Sequence, residues 1–240
     1  MSGPLLELRS VSRRFGGLLA LSEVSFQVQA GELVGVIGPN GAGKSTLFNA
    51  IVQLIPPSSG QVLYQGRDIT GWPVNRVVAS GITKTSQMVQ VFGEMTVLEN
   101  VLIGALLHQR RLDLARRQAI EDLEFIGLAP RAELPARDLT LADRARLELA
   151  RALAVRPRLL MIDEVMAGLT EAEVGEMLDR LRAMNRERGI TLLVIEHNMR
   201  AVMEVSQRVL AFEQGRLIAD GDPSSVSRDP QVVEAYLGMG

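Results

Sequence analysis

No cysteine occurs among the 240 residues, which excludes thiolate metal sites, iron–sulfur clusters, thiol nucleophiles and disulfide frameworks together, and makes a reducing compartment the expected setting. His108 and His197 are the only histidines, and of the 26 basic residues two are lysines, Lys44 and Lys84. A long apolar run is also missing. The longest charge-free stretch, Ser45 to Gly66, is interrupted by Asn49, Gln53 and Pro56-Pro57-Ser58-Ser59-Gly60, whereas a spanning helix needs about 20 mostly apolar residues. No segment is expected to cross a membrane. The opening MSGPLLELRSVSRRF has an early acidic residue and no apolar block after a basic start, so it does not read as a signal peptide, and the expected location is the cytosol. A formal net charge of -2 leaves no basic excess with which to track a phosphate backbone, so nucleic acid is not an expected partner.

What is present is an ordinary globular composition, 47% hydrophobic and 22% charged, at a length sufficient to bury roughly 70% of the unfolded surface. Leu5 to Val11 and Glu23 to Val28 alternate apolar and polar residues on either side of Gly16-Gly17, as half-buried strands do. ELVGVIG then reads as a buried strand, PNGAG as a loop and KSTLFNAIVQL as a helix. Gln61 to Tyr64 adds a strand ending at a Gln65-Gly66 turn, and Asn75 to Ser80 one or two helical turns ended by Gly81. From Val97 to Val155 strand signals vanish. Leu112, Ala115, Ala119, Leu123 and Ile126 recur at helical spacing there, which predicts an inserted helical subdomain over 97–155 between core and β segments at 1–96 and 156–240. RLLMIDE and TLLVIEH are further buried strands, followed respectively by a helix capped by Thr170 and Glu173 and stopped at Gly189, and by a helix near Asn198. VLAFEQGRLIA predicts a hairpin turned by Gln214-Gly215. The resulting fold class is α/β.

Gly38-Pro39-Asn40-Gly41-Ala42-Gly43-Lys44-Ser45 fits G-x-x-x-x-G-K-[ST] between a predicted strand and a predicted helix, the context in which that pattern cradles phosphate. Glycines let successive amides converge on phosphate oxygens, and the helix start adds positive potential. Lys44 then reaches the terminal phosphates and Ser45 offers its hydroxyl to Mg²⁺. A plain glycine-rich turn is the alternative. Asp163 and Glu164 end a hydrophobic strand where parallel α/β sheets bind ligands; Asp163 can hold Mg²⁺ and Glu164 can orient or deprotonate an attacking water. A solvated acidic strand end is the simpler alternative, and the upstream loop argues against it. His197 ends the next strand and is placed by the same argument near the phosphates, as a γ-phosphate sensor, a structural histidine being the alternative if it is taken alone. His108, beside Gln109-Arg110-Arg111, is assigned no role.

In this order of phosphate loop, helical insertion, acidic strand end and histidine, the whole chain resembles the ATP-binding subunit of an ABC transporter. It is most similar to the ATPases of branched-chain amino acid importers through RRFGGLLAL, GPNGAGKSTLFN, GRDITG, MTVLENV and VVEAYLG. The resemblance implies a P-loop ATPase core with a mostly parallel sheet, an antiparallel β subdomain and the helical insertion. It implies ATP and Mg²⁺ as ligands: Gly38 through Thr46 hold the phosphates, Phe15 stacks on adenine, with an ordinary core position as its alternative, and Ser45, Asp163 and Gln87 face the metal. Lys44, Glu164, His197 and Gln87 carry the chemistry, with Gln87 also linking the site to the membrane subunit; a solvated loop glutamine is its alternative. The implied partners are a second ATPase chain, paralogue or self, two transmembrane permease subunits and indirectly a solute-binding protein. The protein is thereby expected on the cytoplasmic face of the membrane.

Departures from the family pattern leave alternatives open. Where the family has LSGGQ or LSYGDQ, facing the partner's γ-phosphate, this sequence reads Leu139-Thr140-Leu141-Ala142-Asp143-Arg144. Thr140 keeps the hydroxyl, but Ala142 brings a Cβ where close backbone approach is needed; Thr140 and Asp143 also read as a simple capping box. Val165 and Met166 replace a proline and a small residue, and Thr170 takes an acidic or amide position. A nucleotide-gated subunit with little hydrolysis is therefore a second reading. A non-transport ABC ATPase is a third, weakened by the single nucleotide-binding unit and the lack of a basic tail.

Overall fold

The computed structural model describes residues 3–85 and 91–237. The fold opens with β1 (Leu6–Phe15) and β2 (Leu18–Val28), then β3 (Leu33–Ile37) and α1 (Lys44–Ile51). Next come β4 (Ser59–Tyr64), β5 (Arg67–Asp68), α2 (Val74–Ala79) and β6 (Ile82–Lys84), followed by α3 (Val97–Ala105), α4 (Leu112–Ile126) and α5 (Leu141–Ala154). The remainder alternates: β7 (Leu159–Asp163), α6 (Glu171–Arg188), β8 (Thr191–Ile195), α7 (Met199–Val205), β9 (Arg208–Glu213), β10 (Arg216–Gly221), α8 (Pro223–Val226) and α9 (Pro230–Leu237).

Two sheets form. One is four-stranded and antiparallel, β2-β1-β4-β5; the other is six-stranded, β10-β9-β3-β8-β7-β6, parallel throughout except for β10. All five residues of β3, β7 and β8 are buried, as central parallel strands covered on both faces require. Their alternate side chains go opposite ways. Leu160, Ile162, Leu192 and Val194 join a core with α3 to α6, while Leu159, Met161, Leu193 and Ile195 join another with Phe48 of α1 and the antiparallel sheet. Register pairs Val36 with Ile195 and Asp163 with Ile195, so β3, β7 and β8 finish level with one another. The loops leaving these three strands therefore share one edge of the sheet.

Several elements differ from their sequence reading. β1 and β2 are longer than the alternating segments because register shifts interrupt the alternation between Leu8 and Arg14. Ser10 and Glu23 sit at positive φ, and their amides donate to the hydroxyls of Ser25 and Ser12. Ile82–Lys84 is a strand that the sequence does not announce: three residues pairing with β7 carry too little pattern. α1 stops at Ile51, short of the expected Leu54, where Gln53 turns to positive φ and its side chain binds Ala50 O and the Gly71 amide. Leu112 is 61% exposed rather than core, because it starts α4, while Ala115, Ala119, Leu123 and Ile126 are buried. At α5, Thr140 accepts from the Asp143 amide, but the Asp143 carboxylate turns to Thr140 Oγ1, Arg131 and Arg146, so only half of the expected capping box forms.

Candidate functional site: a cleft at the ends of the parallel strands

The loop after β3 is held by its neighbours. Gly43 has φ +98° and a Cβ there would lie 2.6 Å from Ala20 O of β2; at Gly38, with φ +147°, it would lie 2.2 Å from Phe212 O of β9. Both positions exclude a side chain. Among the described residues the start of α1 has no side-chain cap and its first turn has no acidic residue, an arrangement that leaves its leading amides able to take an anion. Lys44, the first residue of that helix, folds back so that Nζ donates to Gly38 O at 2.6 Å and to Pro39 O at 3.0 Å. Burial pulls its pKa down, while Glu164 and Asp163 act the other way.

Asn40 to Thr46, with Phe15, Leu18, Leu19 and Ala20 of the first hairpin and Gln214-Gly215 of the last, line a cleft of about 880 Å³ that also takes in Glu164 and His197. Glu164 lies at φ +56°, a strained conformation for glutamate, with its amide donating to Ile195 O at 2.9 Å. His197 Nε2 lies 3.0 Å from Glu164 Oε1. Beneath them Asp163 is wholly buried; its Oδ2 lies 2.9 Å from Lys84 Nζ, Oδ1 has no hydrogen-bond partner among the described residues, and its amide donates to Thr85 Oγ1 at 3.0 Å. Lys84 also donates to Asn49 Oδ1 of α1 at 3.1 Å. A buried carboxylate with a free oxygen, together with Ser45 of α1, which lines the cleft, is a donor set that suits Mg²⁺. Glu196 is a third carboxylate in the cluster: it accepts from the Met166 amide at 2.9 Å, and its pKa is pushed up to about 7 by burial first, with Glu164 and Asp163 adding to the rise.

The family model for ABC transporters matches residues 21–167, and that for branched-chain amino acid ATP-binding cassette transporters matches 216–238. The sequence is 37% identical to the high-affinity branched-chain amino acid transport ATP-binding protein BraF of Pseudomonas aeruginosa, over 99% of both proteins. LivG of Salmonella typhimurium, which carries the same description, is also 37% identical over 99% of each. The chain belongs to the ABC transporter family. Among solved structures, the ADP conformation of MJ1267, an ATP-binding cassette of an ABC transporter, superposes with a TM-score of 0.89 at 31% identity, covering 98% of this chain and 99% of that one.

Within this ABC cassette the remaining expected positions divide. Phe15 is 40% exposed at the mouth of the cleft, not core, with the Arg13 guanidinium 4.7 Å from its ring centre. Pro39 lines a neighbouring cleft, and Gly38 reaches the site through its carbonyl. Gln87 lies outside the described residues. Thr140 and Ala142 do not line the cleft: Ala142 is buried at the start of α5, and the Thr140 hydroxyl is engaged with Asp143. Val165 and Met166 are buried in the core shared with the helices, and Thr170 caps α6 in a complete capping box with Glu173. Sequence reasoning misses the site contacts of Lys84, Thr85 and Glu196. Lys84 stands out as one of two lysines, but nothing in the sequence places it beside Asp163.

Proposed function

We propose that this chain is the ATP-hydrolysing subunit of an importer of branched-chain amino acids, acting at the cytoplasmic face of the membrane. The observation that carries the reading is one cleft joining the phosphate loop, Lys44, Ser45, Glu164 and His197, with Asp163 beneath it. The loop amides and Lys44 hold the phosphates, and Lys44 exchanges its two carbonyl partners for phosphate oxygens as the nucleotide enters. Ser45 and Asp163, with Gln87, hold Mg²⁺, which when bound neutralises charge on the phosphate oxygens. Glu164 takes the proton of the attacking water, and the 3.0 Å contact from His197 sets the orientation of its carboxylate. Phe15 offers a ring face to adenine. The helical segment 97–155 presents Thr140 and Ala142 to the nucleotide of a second ATPase chain. Transmembrane permease subunits and a solute-binding protein complete the assembly. The similarity to BraF and LivG over their full lengths supports the choice of solute.

Co-purification with membrane subunits and ATP turnover stimulated by a leucine-loaded binding protein test this reading; turnover indifferent to the assembled transporter contradicts it. Thr140 and Ala142 favour a second reading, a nucleotide-gated subunit with slow hydrolysis, because the hydroxyl is already committed to Asp143 and Ala142 adds a Cβ. Tight ATP binding without turnover in the assembled transporter selects it.

A further inference from the structure

Gly38 occupies a crowded position. Its carbonyl accepts from Lys44, the space where a Cβ would stand is filled by Phe212 O, and its amide donates to the hydroxyl of Tyr236 at 2.8 Å. Tyr236 comes from α9, almost 200 residues away and inside the segment 216–238 that matches the family model for branched-chain amino acid cassettes. Elsewhere that helix stands off the phosphate loop: a cleft of about 750 Å³ separates Pro39 to Ala42 from Gln231, Glu234 and Ala235. Among the described residues the Tyr236 contact is the one hydrogen bond between α9 and the loop. The helix itself is anchored by Val232, in a small core with Ile37 at the end of β3, Val202 of α7 and Val209 and Ala211 of β9, and Tyr236 packs against that core. Its hydroxyl is thus held from both sides, by packing behind and by the Gly38 amide in front.

From this geometry we infer that Tyr236 is a positioning residue for nucleotide binding. Its hydroxyl fixes the Gly38 peptide, and through it the carbonyl on which Lys44 waits, so the loop keeps its phosphate-ready shape before nucleotide arrives. An amide at a strand end with no strand or helix partner otherwise looks to water and lets the peptide rotate. The inference rests on the nucleotide reading of the cleft and adds that the C-terminal helix, through one oxygen atom, sets the affinity of that cleft.

The test is Tyr236→Phe in the full chain, which deletes the oxygen and keeps the ring that packs on the small core around Ile37. Removing one neutral hydrogen bond predicts about three- to tenfold weaker binding of a fluorescent ATP analogue. Turnover per site at saturating ATP stays within about twofold, the melting temperature is little changed, and hydrogen exchange at the Gly38 amide is faster. A merely structural role would lower the melting temperature and leave Gly38 exchange in step with its neighbours. Unchanged analogue affinity together with unchanged Gly38 exchange overturns the inference while leaving the nucleotide reading standing. A wild-type protein that binds no analogue at all overturns both.

Discussion

Neighbouring carboxylates take different roles here because of their surroundings. Asp163 has no exposure and leans on Lys84, so removing that cation strands a charge in the core. Lys84→Met is expected to cost about 3–5 kcal/mol in chemical denaturation, and adding Asp163→Asn to it should recover a large part, a coupling that a double-mutant cycle measures. Glu196 carries a pH dependence of its own. With its pKa raised to about 7 from the ordinary 4.5, the folded protein keeps a proton that the unfolded one has already released across that interval. The stability associated with this proton is therefore complete below pH 4.5 and is lost as pH rises toward 7. Melting temperatures recorded from about pH 5 to 8 should fall less for Glu196→Gln than for wild type, since the amide still accepts from Met166 and does not titrate.

Elements bring these residues together. The phosphate loop, Asp163-Glu164 and Glu196-His197 lie at the ends of buried five-residue strands, and level register makes the three ends one site. Strand and loop character at all three points is readable from short apolar runs ending in glycine or acidic residues, so Lys44, Ser45, Glu164 and His197 can be expected together, and in the structure they line one cleft. Less is readable where the contact comes from the side. β6 is too short to announce itself, so Lys84 and Thr85 cannot be aimed at Asp163 from the sequence. The bulged hairpin hides half its length for a similar reason: period-two alternation fails wherever an extra residue enters a strand. Gly43→Ala tests the loop as an element. Its Cβ meets the backbone at Ala20, which cannot swing aside as a side chain would, and nucleotide affinity should drop about tenfold or more by titration. At α3, Thr96 and Glu99 form a complete capping box; Thr96→Ala should cost about 1 kcal/mol, or about 2–4 °C in melting temperature.

At the scale of the whole molecule, the cleft takes no residue from α5 among those described, and the resemblance assigns Thr140 and Ala142 to the nucleotide of a second chain rather than to their own. Hydrolysis then requires two chains, and Ala142→Gly, which removes the Cβ at the approach point, should raise turnover without changing the nucleotide affinity of the isolated protein. Hydrolysis of MgATP through Glu164 between paired chains is best probed by turnover per chain as a function of protein concentration, for wild type and for Glu164→Gln. Turnover per chain is expected to rise with concentration and to fall about 10²- to 10⁴-fold in the variant, with MgATP affinity retained. A variant that hydrolyses ATP as fast as wild type would contradict this role for Glu164 and, with it, the assignment of the cleft as a hydrolytic site.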